Sequence, residues 1–413
     1  MPRKTIYDRS PWIEGRSSSR HPAYPKQRGP LTADVVIVGG GLTGCSTAYA
    51  FAAAGVKVVL LEADLIGQGA SGASTGWLPD DPGIGYLEIE AALGRRAGRH
   101  TWKSWHRAAL DFAALLRRLN IKCQLQPQTS MLVAATAQQT VAFKREQKVR
   151  REAGLDASIV NARTVSAETA VSALGAIRSR DSFTIDPYRA ASGLASEAAR
   201  RGAQLFERSA VRRIKFTRKW VDVITAGGAI RAARVVIATG MPTPLFRSLA
   251  RHFWFKTTYL VLTEPVPAKI RKSLGARMSV IRDLAEPSHV VRWVGEDRLL
   301  VAGADGDVPP DRQRQKTLVQ RTGQLMYELS TIYPDISGIQ PAYGWAANYA
   351  RTADGLPFIG PHRNYPHHLF TFGDSTPGVT GTYLASRILL REFLGEANPA
   401  DEAFSFNRYG HVR

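Results

Sequence analysis

Residues 34–62, DVVIVGGGLTGCSTAYAFAAAGVKVVLLE, constrain the fold more than any other stretch of the chain. Residues 34–38 are a short run rich in Val and Ile, the pattern of a strand buried on both faces in a parallel sheet. The run passes straight into Gly39-Gly40-Gly41-Leu42-Thr43-Gly44. An alanine-rich helix then extends to Gly55, and residues 56–61 supply a second buried strand that ends at Glu62. In a G-x-G-x-x-G turn the first glycine permits the tight bend and the second lets backbone approach a pyrophosphate. The third lets helix and strand pack closely. The pyrophosphate then meets the free N–H groups and positive dipole end of the helix. Glu62 falls 18 residues beyond Gly44, where a carboxylate reaches both hydroxyls of an adenosine ribose and repels a 2′-phosphate. A glycine turn alone is weak evidence. Strand, turn, helix, second strand and terminal acid together specify a dinucleotide site, with FAD and NAD both open.

At 413 residues the chain is too long for one ordinary core, and two domains are expected. No apolar run approaches the roughly 18 residues that span a bilayer. The N-terminus, Met1-Pro2-Arg3-Lys4, opens without the apolar segment of a secretory signal. The two cysteines, Cys45 and Cys123, have neither metal nor redox spacing, and the expectation is a cytoplasmic protein. The histidines contain no H-E-x-x-H, so no metal is expected. A net charge of +20 admits a polyanionic partner such as RNA. The basic residues are scattered rather than gathered in a stripe, however, and no RRM-like motif is present, which favours a solvated basic surface.

Residues 1–32, with prolines, serines and basic residues but no periodicity, read as an extended arm draped over the body. Residues 66–76 are a second run of small residues, suited to close approach of backbone to a planar ligand, and Trp77-Leu78-Pro79 leaves it. From Trp102 the apolar positions Trp105, Ala109, Phe112, Leu116 and Leu119 step by three and four. They predict a helix of about five turns, with Lys103, Arg107, Arg117 and Arg118 on its wet face. Residues 121–134 alternate as a strand does. Asp186 as N-cap, Pro187 at the first position and Gly202 past the end predict a helix. Strand-like pieces follow at 204–216 and 219–225, then a buried strand at 234–240, RVVIATG. Residues 253–305 alternate like an antiparallel sheet, and 311–330 reads as a polar helix. Asp354-Gly355-Leu356-Pro357, a strand at 369–372, a turn Gly373-Asp374-Ser375-Thr376-Pro377-Gly378 and a helix to Gly395 close the informative part. That last strand–turn–helix is a second place to receive negative charge.

In this order the blocks 34–62, 69–76, 185–202, 234–240 and 354–395 resemble the FAD-dependent amine and D-amino-acid oxidase superfamily. The likeness is greatest to its gamma-glutamylputrescine-oxidoreductase-like and glycine- and sarcosine-oxidase-like branches. The resemblance implies an α/β fold. A doubly wound, Rossmann-like FAD domain would be assembled from 33–80, 183–248 and 341–397. An α+β substrate domain with a mixed, largely antiparallel sheet would come from 81–182 and 249–340, and 398–413 would be a tail. It further implies that FAD is held by Gly39, Gly41, Leu42, Thr43, Gly44, Glu62 and Ala63, and by the loop residues Gly69, Ala70, Ser71, Ser74, Thr75 and Gly76. Val211, Thr239 and Gly240 would join them, with Gly373, Asp374, Gly378, Val379 and Thr380 at the second helix N-terminus. The implied chemistry is oxidation of a small-molecule primary or secondary amine to an imine by hydride transfer to flavin N5, with oxygen or a quinone or carrier as acceptor.

The departures from the family pattern cluster at the flavin end. Tyr349 stands where glycine-oxidase-like members carry a carboxylate-clamping arginine. The flavin loop reads Ala73-Ser74-Thr75-Gly76 in place of Arg-Asn-Gly-Gly. No cysteine lies in the C-terminal third and Trp77 stands near a position of histidyl attachment, so non-covalent FAD is expected. Trp77, Arg292 and Tyr349 are the candidates for the substrate face, with packing and a surface ion pair as the alternatives. Two other functions stay open: action on a modified tRNA base, and an electron-relaying or non-catalytic flavoprotein subunit.

Overall fold

The computed structural model describes residues 4–14, 23–276, 278–373 and 378–408. Strand Leu31–Val38 runs through the glycine turn into helix Leu42–Ala53 and returns as strand Val58–Leu61. The two strands pair in parallel, Val35 opposite Val58 and Val38 opposite Leu61. Gln204–Phe206 adds beyond Val58–Leu61, while Ala229–Gly240 and then Tyr365–Phe372 add on the other side, all in parallel. Phe358–His362 closes that edge antiparallel, and a meander of Arg213–Phe216 and Val221–Ile224 folds back from Ala229–Gly240 to complete an eight-stranded sheet.

The two faces of this sheet are covered differently. Val35, Ile37, Val58 and Leu60 face the helices Leu42–Ala53, Pro187–Arg200 and Thr380–Leu394 in one apolar cluster. The first of these helices is enclosed nearly all round, which its run of small residues permits: Gly44, Cys45, Ser46, Ala48 and Ala52 are all buried. Val36, Val38, Val59 and Leu61 face the other way, against Val221 and Val223 of the meander and Phe246, Phe358, Phe370 and Phe372. Successive residues of one strand thus serve two cores, as period-two geometry demands.

The second sheet has ten strands. Its order is Ile6–Tyr7, Pro341–Arg351, Trp254–Thr263, Arg298–Asp307, Val290–Val294, Val280–Arg282, Gln126–Ala134, Gly175–Thr184 and Trp77–Leu78, with Ser158–Asn161 also on Gly175–Thr184. Its pairings are antiparallel except those of Ile6–Tyr7 and of Val280–Arg282 with Gln126–Ala134. This is the mixed sheet expected of the substrate-binding half. Tyr259 and Val261 point to helix Asp311–Ile332, while Leu260 and Leu262 point to a cluster containing Trp12, Trp77 and Trp345.

Several elements differ from the sequence expectation. Pro341–Arg351, grouped by its number with the cofactor segments, hydrogen-bonds along Trp254–Thr263 in the larger sheet. The stretch 204–216 is two strands separated by a turn, not one. Helix Arg95–Arg118 begins seven residues before Trp102, because its first turns bury only Gly98 and Thr101 and leave no apolar period to read. Helix Ala137–Glu152 is invisible to periodicity for a related reason. Its buried face is Phe143 with an ion pair, Glu146 to Arg150 at 2.7 Å, and the guanidinium lies 4.0 Å over the Trp102 ring.

Arg408 joins the end of the described chain to the Asp354 block. Its guanidinium donates to both Asp354 oxygens, at 2.7 and 2.8 Å, and to the carbonyls of Leu356 and Pro357. The side chain is 1% exposed and covers the Phe358 ring. Removing one partner of such a buried pair leaves the other uncompensated. Arg408→Met is therefore expected to lower the unfolding free energy by about 3 kcal/mol, read as a lower urea midpoint at unchanged slope.

Candidate active site

Both sheets contribute walls to one continuous cavity of about 1450 Å3. The parallel sheet brings Gly39, Gly41, Thr43, Glu62 and Ala63 to it, with Thr239 and Gly240 from the neighbouring strand end and Val211. The small-residue loop supplies Gly69, Ala70, Ser71, Ser74 and Thr75, and the last helix supplies Gly378 and Val379. The larger sheet supplies Leu260, Val290, Ala302, Asp305, Ala347 and Tyr349. Leu42, Gly44, Gly76, Gly373 and Thr380 are not among the residues that line the cavity. Asp374 lies outside the described residues.

The glycine turn is built by close approach. A Cβ at Gly44 would stand 1.8 Å from the Gly39 carbonyl oxygen, so no other residue fits there. Gly41, the N-cap of the helix, offers no side chain to its N–H groups. The Leu42 N–H donates to Ser71 Oγ at 2.7 Å, which ties the turn to the small-residue loop. The Glu62 carboxylate accepts from the Gly40 N–H at 2.6 Å and the Asp64 N–H at 2.8 Å. Two bonds fix its orientation and leave acceptor sites free on the same two oxygens.

The loop after the turn is held from behind, carbonyl by carbonyl. Ser10 Oγ donates to Gly72 O, Trp345 Nε1 to Ala73 O at 2.9 Å and Trp12 Nε1 to Ser74 O at 3.0 Å. Arg292 Nε donates to Thr75 O at 2.7 Å, and the Ile185 N–H donates to Gly76 O at 2.8 Å. Arg292 thus stands behind the chamber, 4% exposed, away from both the substrate face and the surface. Burial draws its pKa down, toward about 9, and nearby Asp186 opposes that shift. Trp77 is likewise 1% exposed in the tryptophan cluster and absent from the cavity wall, because the antiparallel pairing of Trp77–Leu78 with Gly175–Thr184 takes it into the larger sheet's inner face. Of the three substrate-face candidates, Tyr349 alone lines the cavity. Ser10 and Trp12 carry no sequence signal for this role, since they sit in an aperiodic arm.

The helix Thr380–Leu394 starts at the cavity with no side-chain cap. A Cβ at Gly378 would meet Pro79 Cδ at 2.2 Å, and the Val379 N–H donates to the Trp77 carbonyl at 2.8 Å. Thr380 Oγ1 donates to the Pro79 carbonyl at 2.7 Å, so the segment leaving the small-residue loop is docked on the helix start.

On the opposite wall Tyr349 donates its hydroxyl to Asp305 at 2.5 Å. Burial, with the Asp305 charge, pushes the phenol pKa up, so Tyr349 stays protonated. Arg282 is engaged by Asp81 at 3.2 Å and Lys256 by Asp307 at 2.7 Å. Residues 283–288 form one edge of the cavity and are closed by His289, whose Nδ1 lies 2.7 Å from Asp283 and whose Nε2 lies 3.0 Å from Glu328. Asp305 escaped sequence reading because it follows Gly303-Ala304 past the apolar end of its strand, where no period marks a direction.

His289 links this edge to pH. The hydrogen bond and charge of Asp283, with Glu328 adding, raise its pKa from 6.5 to about 9. A raised histidine pKa contributes stability that is full below about 6.5 and is lost as the pH rises through about 9. The thermal midpoint of the wild type is expected to fall over that window relative to His289→Asn. A constant difference between the two proteins from about pH 6 to about pH 10 would exclude a charged His289.

The FAD dependent oxidoreductase (DAO) family profile matches residues 34–391. The chain is 26% identical over 398 residues to gamma-glutamylputrescine oxidoreductase of Escherichia coli K12, covering 95% of this chain and 91% of that protein. It is 24% identical over 372 residues to glycine oxidase of Bacillus licheniformis, covering 86% and 93%. Among solved structures, glycine oxidase from Geobacillus kaustophilus superposes with a TM-score of 0.76 at 20% identity, covering 93% of this chain and all 100% of that one. L-amino acid deaminase from Proteus myxofaciens does so with 0.77 at 17%, covering 98% and 100%. No helix among the described residues is long and apolar enough to cross a membrane. The chain belongs to the FAD-dependent oxidoreductase family.

Proposed function

We propose that this protein oxidises a primary or secondary amine to an imine, with FAD bound non-covalently in the cavity between the two sheets. The observation that carries the reading is the continuity of that cavity, from the glycine turn and Glu62 past the small-residue loop to Tyr349 and Asp305. The residues suit the cofactor. The turn at Gly39 leads into Gly41 and Thr43, which leave backbone N–H groups and a helix dipole for the pyrophosphate, and the oriented Glu62 carboxylate has acceptor sites left for ribose hydroxyls. Ala63, Val211, Thr239 and Gly240 would flank the adenosine and pyrophosphate portion, and Gly69, Ala70, Ser71, Ser74 and Thr75 the flavin portion. Both cysteines are buried and away from the cavity wall, and burial raises both thiol pKa values, which leaves no thiolate for a covalent link.

When bound, FAD supplies the acceptor for a hydride equivalent removed from the carbon beside an amine nitrogen. The chain's own part is positioning and desolvation. Leu260, Val290, Ala302 and Ala347 form an apolar wall that strips water from a substrate. Tyr349 and Asp305 supply the polar contacts that orient it. The uncapped start of helix Thr380–Leu394 places partial positive charge at the cavity, where reduction builds negative charge. No side chain is needed as an obligatory base if the amine enters neutral.

Purified protein is expected to show a flavin absorbance spectrum and to be bleached anaerobically by at least one amine. Bound flavin that resists every amine would instead support an electron-relaying subunit. Glu62→Ala is expected to purify folded but depleted in FAD, with unchanged far-UV circular dichroism. Full flavin content in that variant would remove Glu62 from the site.

A further inference from the structure

The wall formed by Trp254–Thr263, Arg298–Asp307 and Pro341–Arg351 carries ionised groups in three different situations. Lys256 is already neutralised by Asp307, 2.7 Å away. Arg351 is exposed at the end of its strand, where solvent screens its charge. Asp305 is half-buried and accepts from the Tyr349 hydroxyl at 2.5 Å, and among the described residues no basic side chain pairs with it.

One phenol does not complete a carboxylate, which has about four acceptor sites. Apolar Leu260, Val290, Ala302 and Ala347 share the cavity with it, so the remaining sites lose water when a ligand enters. A ligand with its own carboxylate would meet like charge there, and an alkyl tail would leave Asp305 desolvated and unpaired. A protonated amine would satisfy both the charge and the open acceptor sites. The Tyr349 hydroxyl cannot take over the task of a carboxylate clamp, because it is committed as a donor to Asp305.

We propose that Asp305, oriented by Tyr349, selects amines that carry a second, protonated nitrogen, so that the substrates are linear diamines and related dications rather than amino acids. This rests on the amine-oxidising reading of the cavity: one nitrogen reacts at the flavin loop and the other pairs with Asp305.

The test uses the flavin-loaded protein and three matched probe series: α,ω-diaminoalkanes of three to six carbons, 1-aminoalkanes and ω-amino acids of the same lengths. Binding is read by titration calorimetry and by perturbation of the flavin absorbance; reduction is read separately, by anaerobic bleaching. The best diamine is expected to bind about tenfold tighter than its matched aminoalkane, with the ω-amino acid weakest. Asp305→Asn is expected to erase most of that preference while retaining flavin, and Tyr349→Phe to erase part of it. Should Asp305→Asn fail to fold, the wild type still decides: added salt must weaken binding of the dicationic diamine more than that of the matched monocationic aminoalkane and so narrow the preference. A preference untouched by both Asp305→Asn and salt, or ω-amino acids as the tightest ligands, overturns the proposal. Bleaching by aminoalkanes as readily as by diamines, with equal binding, sinks the proposal and keeps the amine-oxidising reading. Asp305-dependent diamine binding without bleaching by any probe keeps the proposal's binding site and sinks that reading.

Discussion

Residues 72–76 form a loop buried between two sheets, and buried backbone must have its carbonyls met. Strand pairing is not available to a segment that must face a ligand. The protein solves this with donors sent from four distant places: Ser10 and Trp12 from the arm, Trp345 and Arg292 from the larger sheet, and the Ile185 N–H. Because the carbonyls are all turned backward, the forward side of the loop is left to small side chains. The shape of the cavity therefore depends on groups that never touch it. The same donors tie the loop that follows the parallel sheet to the arm and to the larger sheet.

Polar satisfaction of this kind also marks the limit of what a sequence discloses. The glycine turn, the helix capped by Asp186 and the strand 234–240 were legible because each is specified by neighbours in the chain. Asp186 indeed accepts from the Arg189 N–H at 2.9 Å, three residues on. Glu62, too, is placed by a local count. Arg292 and Trp77 were not legible in the same way. Their residue types suggested a substrate face, but their direction is set by sheet pairing, of Arg292 with Leu300 and of Trp77 with Thr184 more than 100 positions away, and by what each face of that sheet then meets. Tyr349 was singled out by what it replaces, and its partner Asp305, 44 residues distant, needed the sheet register to be seen.

The electrostatics of the molecule run against its composition. A chain of net charge +20 pairs off two of the basic side chains on its cavity wall, Lys256 and Arg282, and leaves a carboxylate as the less satisfied group. Surface charge and site charge are thus independent quantities here. The first governs solubility and encounter; the second governs which ligands are held.

The order of strands in the parallel sheet sets a schedule for synthesis. Its central strand, Ala229–Gly240, pairs on one side with Leu31–Val38, made some two hundred residues earlier, and on the other with Tyr365–Phe372, made more than a hundred residues later. A chain emerging from the ribosome consequently holds an open hydrophobic edge at residues 235–240 while half of the second sheet's strands are still to be made. Long-range parallel pairing is slow, and open edges attract other chains. The discontinuous plan that gives two sheets a shared cavity therefore makes the nascent protein a natural client for chaperones until its last strand arrives.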